Sequence, residues 1–152
     1  ANISILSLKD TCVNMILKDT SSKPQNLQEF AKQFSFTVII FYDPTCEHCK
    51  VELPIMDSTL NLLYAKYNIK IGRYAVCNEP NMPLPVWKDF INKYSLTNNY
   101  VHVNLGANLE IRKSYDAFTN PIFYLIDNNG ILMGKKLSPQ TVRNMILANY
   151  IK

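Results

Sequence analysis

Two cysteines separated by two residues carry the clearest chemical signal, in the segment Cys46-Glu47-His48-Cys49. They follow a run of β-branched and aromatic residues and precede a segment with helical spacing, so the pair falls where a strand gives way to a helix. A helix N-terminus offers unpaired N–H groups and the positive end of the helix dipole, and both stabilise a thiolate. Cys46 is therefore the candidate nucleophile. Cys49, one turn further on, is the candidate resolving thiol for exchange without a metal or an organic cofactor.

A zinc half-site is an alternative use of such a pair. A structural zinc needs two more ligands, usually as a second closely spaced pair, whereas Cys12, Cys77 and His102 are single and scattered along the chain. We therefore predict no metal site. A permanent bridge between Cys46 and Cys49 is also disfavoured, because so tight a loop is redox-labile.

The two residues between these cysteines would tune the redox equilibrium in opposite directions. A cationic His48 beside the sulfurs favours the thiolate, hence the reduced form and a more oxidising couple. An anionic Glu47 does the reverse. The pattern therefore leaves both directions of electron flow open.

The elements that must position this pair follow from hydrophobic periodicity. Residues 36–42 form a strand buried on both faces, as at the centre of a sheet, and residues 46–67 form a helix that Pro54 should kink. Further strands are predicted around Ile3, Ile5 and Leu8, over 13–17, 69–76, 100–105, 122–126 and 131–137. Further helices are predicted over 27–34, 86–94, 109–118 and 139–150. This order indicates an α/β domain with a mixed central sheet.

The same periodicity predicts which side chains face the core. The long helix should bury Val51, Ile55, Leu60, Leu62, Leu63 and Tyr67, and the last helix should bury Val142, Met145, Ile146 and Tyr150. An aromatic set is predicted to be core rather than a ligand cage: Tyr42, Tyr64, Tyr67, Trp87 and Tyr124. Cys12 and Cys77 are predicted to be small core residues, and a bridge between them stays open.

Length and composition bound the remaining possibilities. The 152 residues, 17.5 kDa, predict a single domain over 1–152 that needs no disulfide scaffold. With 47% hydrophobic and 18% charged residues, the chain is neither disordered nor a highly charged coiled coil. The net charge of +4 is spread out, which argues against a nucleic-acid surface. No apolar run is long enough to span a bilayer, and the first residues do not form an intact signal peptide.

Two segments carry a resemblance to a known family. FYDPTCEHCKVELP and, far downstream, NPIFYLIDNNG resemble the thioredoxin-like superfamily and, more narrowly, the extracytoplasmic TlpA/ResA-type thiol-disulfide oxidoreductases. The resemblance runs from about residue 4 to residue 150. The family pattern Cys-x-x-Cys-x-x-Glu-x-Pro appears as Cys46, Cys49, Glu52 and Pro54.

The resemblance implies a thioredoxin fold: a mixed central β-sheet flanked by helices, with an N-terminal strand extension and an insertion before the third core strand, between Cys77 and Tyr100. It implies that Glu52 assists proton transfer near the buried cysteine. It places the family's cis-proline at Pro121, against the sulfurs, and gives the backbone of Asn120 to an extended substrate. The family more often has a small β-branched residue at that position.

The resemblance also implies a function and a location. The chain is expected to be an enzyme that exchanges disulfides with protein thiol and disulfide substrates and contributes to cell redox homeostasis. It would act outside the cytoplasm, in the periplasm or anchored to a membrane, with electrons supplied by a membrane partner. Residues 1–152 would be one domain, or the C-terminal part of a longer exported precursor. The alternatives are a non-catalytic peptide-binding module of the same fold and a redox sensor.

Overall fold

The computed structural model describes residues 6–150. The strands there are β1 (Ile16–Lys18), β2 (Pro24–Asn26), β3 (Phe36–Tyr42), β4 (Ile71–Cys77), β5 (Tyr100–Asn104), β6 (Ile122–Asp127) and β7 (Leu132–Gly134). The helices are α1 (Leu27–Ala31), α2 (Glu47–Tyr67), α3 (Leu84–Lys93), α4 (Leu109–Ser114) and α5 (Pro139–Tyr150). The strand predicted around Ile3 and Ile5 lies outside the described residues, and Leu8 lies in a turn.

A mixed sheet with strand order β5-β4-β3-β6-β7 forms the centre of the structure. β3 pairs in parallel with β4, and β4 with β5, whereas β6 runs antiparallel to β3 and β7 antiparallel to β6. Every residue of β3 and β4 is buried, as expected of β-branched and aromatic runs covered on both faces. The predicted mixed central sheet is confirmed.

The carboxyl ends of β3 and β4 position the residues that come directly after these two strands. Tyr42 and Cys77, the last residues of the two strands, lie opposite each other in register. The next residues, Asp43 and Asn78, therefore emerge side by side, and the Asn78 amide donates to the Tyr42 carbonyl at 2.7 Å. In open α/β sheets this edge is where ligands bind.

Helix α2 starts at this edge with Cys46 as its N-cap and ends at Asn68, whose left-handed backbone returns its amide to the Leu63 and Tyr64 carbonyls. It continues through Pro54 as one helix. The residues that it buries are Cys49, Leu53, Met56, Leu60 and Leu63.

Part of the predicted face of α2 is wrong. Val51 and Leu62 are 59% and 66% exposed, and Ile55 is exposed as well. Apolar residues occur on all sides of α2 itself, so the periodicity of its sequence could not identify the side that faces the sheet. Two aromatic residues predicted to be buried, Tyr64 and Tyr150, are also exposed, and each lies near the C-terminal end of its helix.

Short elements account for the other differences. β1 begins at Ile16 rather than at residue 13, and β2 is not among the predicted strands. α1 ends at Ala31, α4 ends at Ser114 and β7 ends at Gly134, each earlier than predicted. These segments are three to six residues long, too short for a periodic pattern to fix their ends.

The sheet divides the core into two layers. One layer packs α2, α3 and α5 against β3 and β4 and includes Cys77. The other packs α1, α4 and the residues before β1 against the opposite face and includes Cys12. Both thiols are buried and free, as predicted for core residues, and the sheet between them decides against a bridge.

The N-terminal extension runs across this second face and reaches the sheet at both of its edges. Asp19 forms a bridge with Val103 of the edge strand β5, and Thr11 forms one with Ile131, just before β7. α3 lies within the predicted insertion between Cys77 and Tyr100. None of the helices within residues 6–150 has the length and apolar character needed to cross a membrane.

Candidate active site

Cys46 sits half-exposed at the N-cap of α2, where the turn after β3 holds it. The turn is closed by the Cys46 amide, which donates to the Asp43 carbonyl at 3.0 Å. The amide and hydroxyl of Thr45 each donate to Asp43 Oδ1 at 2.8 Å. The Cys46 side chain does not cap the helix. Its thiol points instead toward the Asn120 carbonyl, 3.7 Å away.

Cys49 lies one turn further into the helix and is 0% exposed. The pKa of its thiol is raised to about 12, mainly by burial; a hydrogen bond to the Asp43 backbone acts in the opposite direction, and the neighbouring Cys46 thiol adds to the rise. Cys49 therefore holds its proton at neutral pH. Any reaction that uses it as a nucleophile needs a nearby group to accept that proton.

One cleft beside Cys46 collects four of the predicted site residues. It has a volume of about 370 Å³ and is lined by His48, Glu52, Asn120 and Pro121. The strand β6 and the segment before α5 supply the opposite wall, with Phe123, Lys136, Leu137, Ser138 and Pro139. The peptide bond between Asn120 and Pro121 is cis. The structure thus brings together residues from the start of α2 and from the loop before β6.

Glu47, like Cys46 and Cys49, is not among the predicted site residues that line this cleft. Its side chain is 85% exposed and forms an ion pair with Lys50 at 3.0 Å on the outer side of α2. An exposed pair of this kind is screened by solvent and exerts little force on buried groups. Glu47 is therefore placed to modulate Cys46 only weakly.

Known proteins were compared with this chain by sequence and by structure. Neither the protein-family models nor the curated proteins contain a match. Among solved structures, a domain of a possible thiol-disulfide isomerase from Cytophaga hutchinsonii has a TM-score of 0.81 at 21% identity, with 97% of this chain and 96% of that one covered. The thioredoxin domain of a thiol-disulfide oxidoreductase from Bacteroides vulgatus has a TM-score of 0.76 at 19% identity, with 97% and 99% covered.

The chain has a thioredoxin-like fold. Yeast Sco1 with copper bound is also similar, with a TM-score of 0.73 at 18% identity over 97% of this chain and 90% of that one. At such identities these similarities establish the architecture, and the chemistry of this thioredoxin-like chain has to come from its own residues.

The residues of this thioredoxin-like site do not fit a metal centre. Cys46 and Cys49 could supply two sulfur ligands, but the described part of the chain contains no group of three or more His, Cys, Asp or Glu side chains placed to hold a metal ion. His48 is exposed. Both ring nitrogens of His102 are already bonded, to the Tyr42 hydroxyl at 2.8 Å and to the Leu96 carbonyl at 2.7 Å.

Asn78 is a site residue that the sequence did not reveal. Its side-chain amide donates to the Ala117 carbonyl at 2.9 Å and to Asn120 Oδ1 at 3.2 Å. It therefore connects the end of β4 to the loop that carries Asn120 and Pro121. The available signal was its position directly after a strand parallel to the one that precedes Cys46.

A second polar network that the sequence did not reveal lies behind the site. Trp87 Nε1 donates to the Tyr42 hydroxyl at 2.6 Å, and that hydroxyl bonds His102 Nδ1. His102 Nε2 then reaches the Leu96 carbonyl, so a neutral ring with its proton on Nε2 satisfies every group. Burial lowers the pKa of His102 to about 4, against a smaller raising effect of the Leu96 hydrogen bond.

Proposed function

We propose that this chain is a thiol-disulfide oxidoreductase that exchanges disulfides with protein substrates through Cys46 and Cys49. The observation that carries the proposal is the contrast between the two thiols. Cys46 is accessible at a helix N-terminus, whereas Cys49 is fully buried one turn behind it. This contrast suits a first thiol that meets the substrate and a second that acts only from inside.

The exchange proceeds in two balanced steps. The Cys46 thiolate attacks one sulfur of a substrate disulfide; the substrate S–S bond breaks, and its second sulfur leaves as a thiol after taking a proton. Cys49 then loses its proton and attacks Cys46 Sγ, which breaks the mixed disulfide and releases the first substrate sulfur. Two electrons pass to the substrate, and Cys46 and Cys49 end as a disulfide. The reverse sequence oxidises a substrate dithiol.

Glu52 is proposed to move the proton of Cys49. Its carboxyl lies half-buried in the cleft, three residues after Cys49 on α2. The central strand β3 contains no Asp or Glu that could take this role. Ile40, a buried residue of this strand before the cysteines, is apolar. A carboxylate at Glu52 can accept the proton when Cys49 attacks and return it in the reverse reaction.

Asn120 and Pro121 are proposed to form the wall against which a substrate chain lies. Pro121 lacks an N–H and presents its ring, while the Asn120 carbonyl lies next to the attacking sulfur. His48, exposed beside Cys46, favours the thiolate when it is charged, and Glu47 opposes it weakly. These placements support protein disulfides rather than a small buried ligand as the substrate class.

The biological setting is proposed from the family resemblance and from the solved structures of the same fold. Similar structures include a secreted Mycobacterium tuberculosis disulfide oxidoreductase, matched at 16% identity with a TM-score of 0.66 over 88% of this chain and 95% of that one. The secretion of that protein supports an extracytoplasmic location for this one, and its disulfide oxidoreductase chemistry supports protein thiols as partners. A membrane protein as electron donor is proposed from the family resemblance alone. We propose that residues 1–152 act as one domain.

The decisive experiment measures insulin disulfide reduction and scrambled-substrate oxidation by the wild type and three cysteine variants. Cys46→Ser should lower the rate by a factor of at least about 10³, because it deletes the attacking sulfur. Cys49→Ala should stall at a mixed disulfide that traps substrate. Cys12→Ala is the matched control, a buried cysteine on the opposite face of the sheet, and should keep the rate.

Three results would contradict the proposal. Full activity in Cys46→Ser would remove the nucleophile from the mechanism. Peptide binding that is independent of redox state, with no partner trapped by Cys49→Ala, would identify a non-catalytic binding module. A conformational change remote from the cysteines on oxidation would instead indicate a redox sensor.

A further inference from the structure

We infer that Asn78 is a positioning residue for substrate recognition: it fixes the loop from Ala117 to Pro121 and engages the Asn120 side chain, so that the Asn120 backbone is left to contact the substrate. This inference rests on the proposed function. It assigns Asn78 no contact with the reacting sulfurs.

The side chain of Asn78 makes two donor contacts with one loop. The same Nδ2 group reaches the Ala117 carbonyl at 2.9 Å and Asn120 Oδ1 at 3.2 Å. An amide NH₂ group has two hydrogens, so both bonds can form at once. Two bonds to residues three positions apart fix both the place and the rotation of the loop between them.

The backbone of Asn78 is itself held on both sides. Its N–H donates to the Tyr42 carbonyl at 2.7 Å, which continues the pairing of β3 and β4. Its carbonyl accepts from Arg112 Nη2 at 3.1 Å. A side chain that starts from so fixed a backbone can transmit the position of the sheet to the loop, as recognition by a preorganised groove requires.

The consequence appears at Asn120. Because Asn120 Oδ1 accepts from Asn78, its side chain is held toward the protein, whereas its carbonyl lies 3.7 Å from Cys46 Sγ. An asparagine can therefore occupy this position beside the substrate groove, where the family more often has a small β-branched residue. The pair Asn78 and Asn120 does through hydrogen bonds what a β-branched side chain would do through packing.

The informative substitution is Asn78→Asp, which keeps the shape and removes the donor. A carboxylate at residue 78 would face the Ala117 carbonyl, which is an acceptor only, so that bond is lost and the contact becomes repulsive. The bond to Asn120 Oδ1 is lost as well unless the Asn120 amide turns and presents its Nδ2, a turn that itself changes the loop. The guanidinium of Arg112, already bonded to the residue 78 carbonyl, offsets the new charge and favours a folded variant. Asn81→Asp is the matched control, because it adds the same charge at an exposed position of the following loop.

The test compares two substrates of different size. Insulin uses the groove, whereas 2-hydroxyethyl disulfide is too small to lie along the loop. In Asn78→Asp we expect the KM for insulin to rise about 5- to 10-fold with kcat kept, as the loss of one or two neutral hydrogen bonds implies. The rate with 2-hydroxyethyl disulfide should stay within about twofold of the wild type, and Asn81→Asp should match the wild type with both substrates.

Hydrogen exchange gives a readout that does not depend on activity. The amides of residues 117–123 should exchange at least about fivefold faster in Asn78→Asp than in the wild type and in Asn81→Asp. An equal loss with both substrates, an unchanged KM for insulin, or unchanged exchange of these amides would each overturn the inference. If the wild type reduces neither substrate, the proposed function fails, and hydrogen exchange then decides by itself whether Asn78 fixes the loop.

Discussion

Two polar networks begin at the carboxyl ends of neighbouring strands, and they differ in their access to solvent. The sealed network runs from Trp87 through Tyr42 and His102 to the Leu96 carbonyl, and its three side chains are almost completely buried. The open network includes Asn78, Asn120 and Cys46, all half-exposed.

The two networks also differ in what they leave unpaired. In the sealed network each polar group has its partner, so a change of any member leaves another buried group without one. In the open network the Cys46 thiol has one long contact, to the Asn120 carbonyl. Asn78 Oδ1 is buried and has no hydrogen-bond partner among the described residues. The comparison indicates that the first network holds the domain together, and it fits our proposal that the second lies where a substrate binds.

The largest effect on stability is expected from Tyr42→Phe. The change leaves Trp87 Nε1 and His102 Nδ1 buried without a partner, at about 1–3 kcal/mol each, so the free energy of unfolding should fall by about 2–6 kcal/mol. Urea denaturation measures it, with the exposed Tyr64→Phe as a control that should change it by less than about 0.5 kcal/mol. If Tyr42→Phe impaired insulin reduction while leaving stability intact, the division between the two networks would fail.

The next largest effect is a loss of stability in acid that comes from His102. Its pKa is about 4 in the folded state against an ordinary value of 6.5, so below pH 6.5 the unfolded chain binds a proton that the folded chain refuses. The His102 contribution is complete above pH 6.5 and is lost as the pH falls toward 4, by at most about 3 kcal/mol.

Urea denaturation at pH 7, 5.5 and 4 measures this dependence. His102→Gln should flatten this part of the pH profile, whereas His48→Gln, at an exposed position, should leave it in place. An acid loss of the same size in His102→Gln would assign it to other groups and remove the titratable element from the sealed network.

The smallest effect is expected from Glu47→Gln in the open region. Loss of an anion near Cys46 favours the thiolate and should raise the reduction potential, but by less than about 20 mV, because the charge is exposed and already paired with Lys50. Equilibration with glutathione measures the shift, and Asp89→Asn on the exposed side of α3 serves as the control. A larger shift would show that solvent does not screen this side of the site.

The sequence predicted the central strands because their residues favour both the strand conformation and a buried position. The run from Phe36 to Tyr42 is strand-forming throughout and buried throughout, so local preference and tertiary packing agree. The position of Cys46 at a helix start followed from the break at Asp43 and Pro44. His48, Glu52, Asn120 and Pro121 line one cleft, and Cys46 lies next to it, with its Sγ 3.7 Å from the Asn120 carbonyl.

The remainder depended on contacts that only the folded chain defines. Val51, Ile55 and Leu62 are as apolar as the residues that α2 buries, and only the sheet decides which side is covered. Asn78 has no motif of its own; it becomes part of the site because parallel strands end together. The hydrogen bonds of Tyr42 likewise join residues far apart in the sequence.

The N-terminal extension has a consequence for how the chain folds. Thr11 pairs with Ile131 and Asp19 with Val103. Both contacts join residues far apart in the sequence, so they can form only after the downstream segments have folded. Contacts of such long range are slow to form, and until then the edges of the sheet are free to pair with other chains. The extension can therefore take its final path across the sheet only after the downstream segments that carry Val103 and Ile131 have formed.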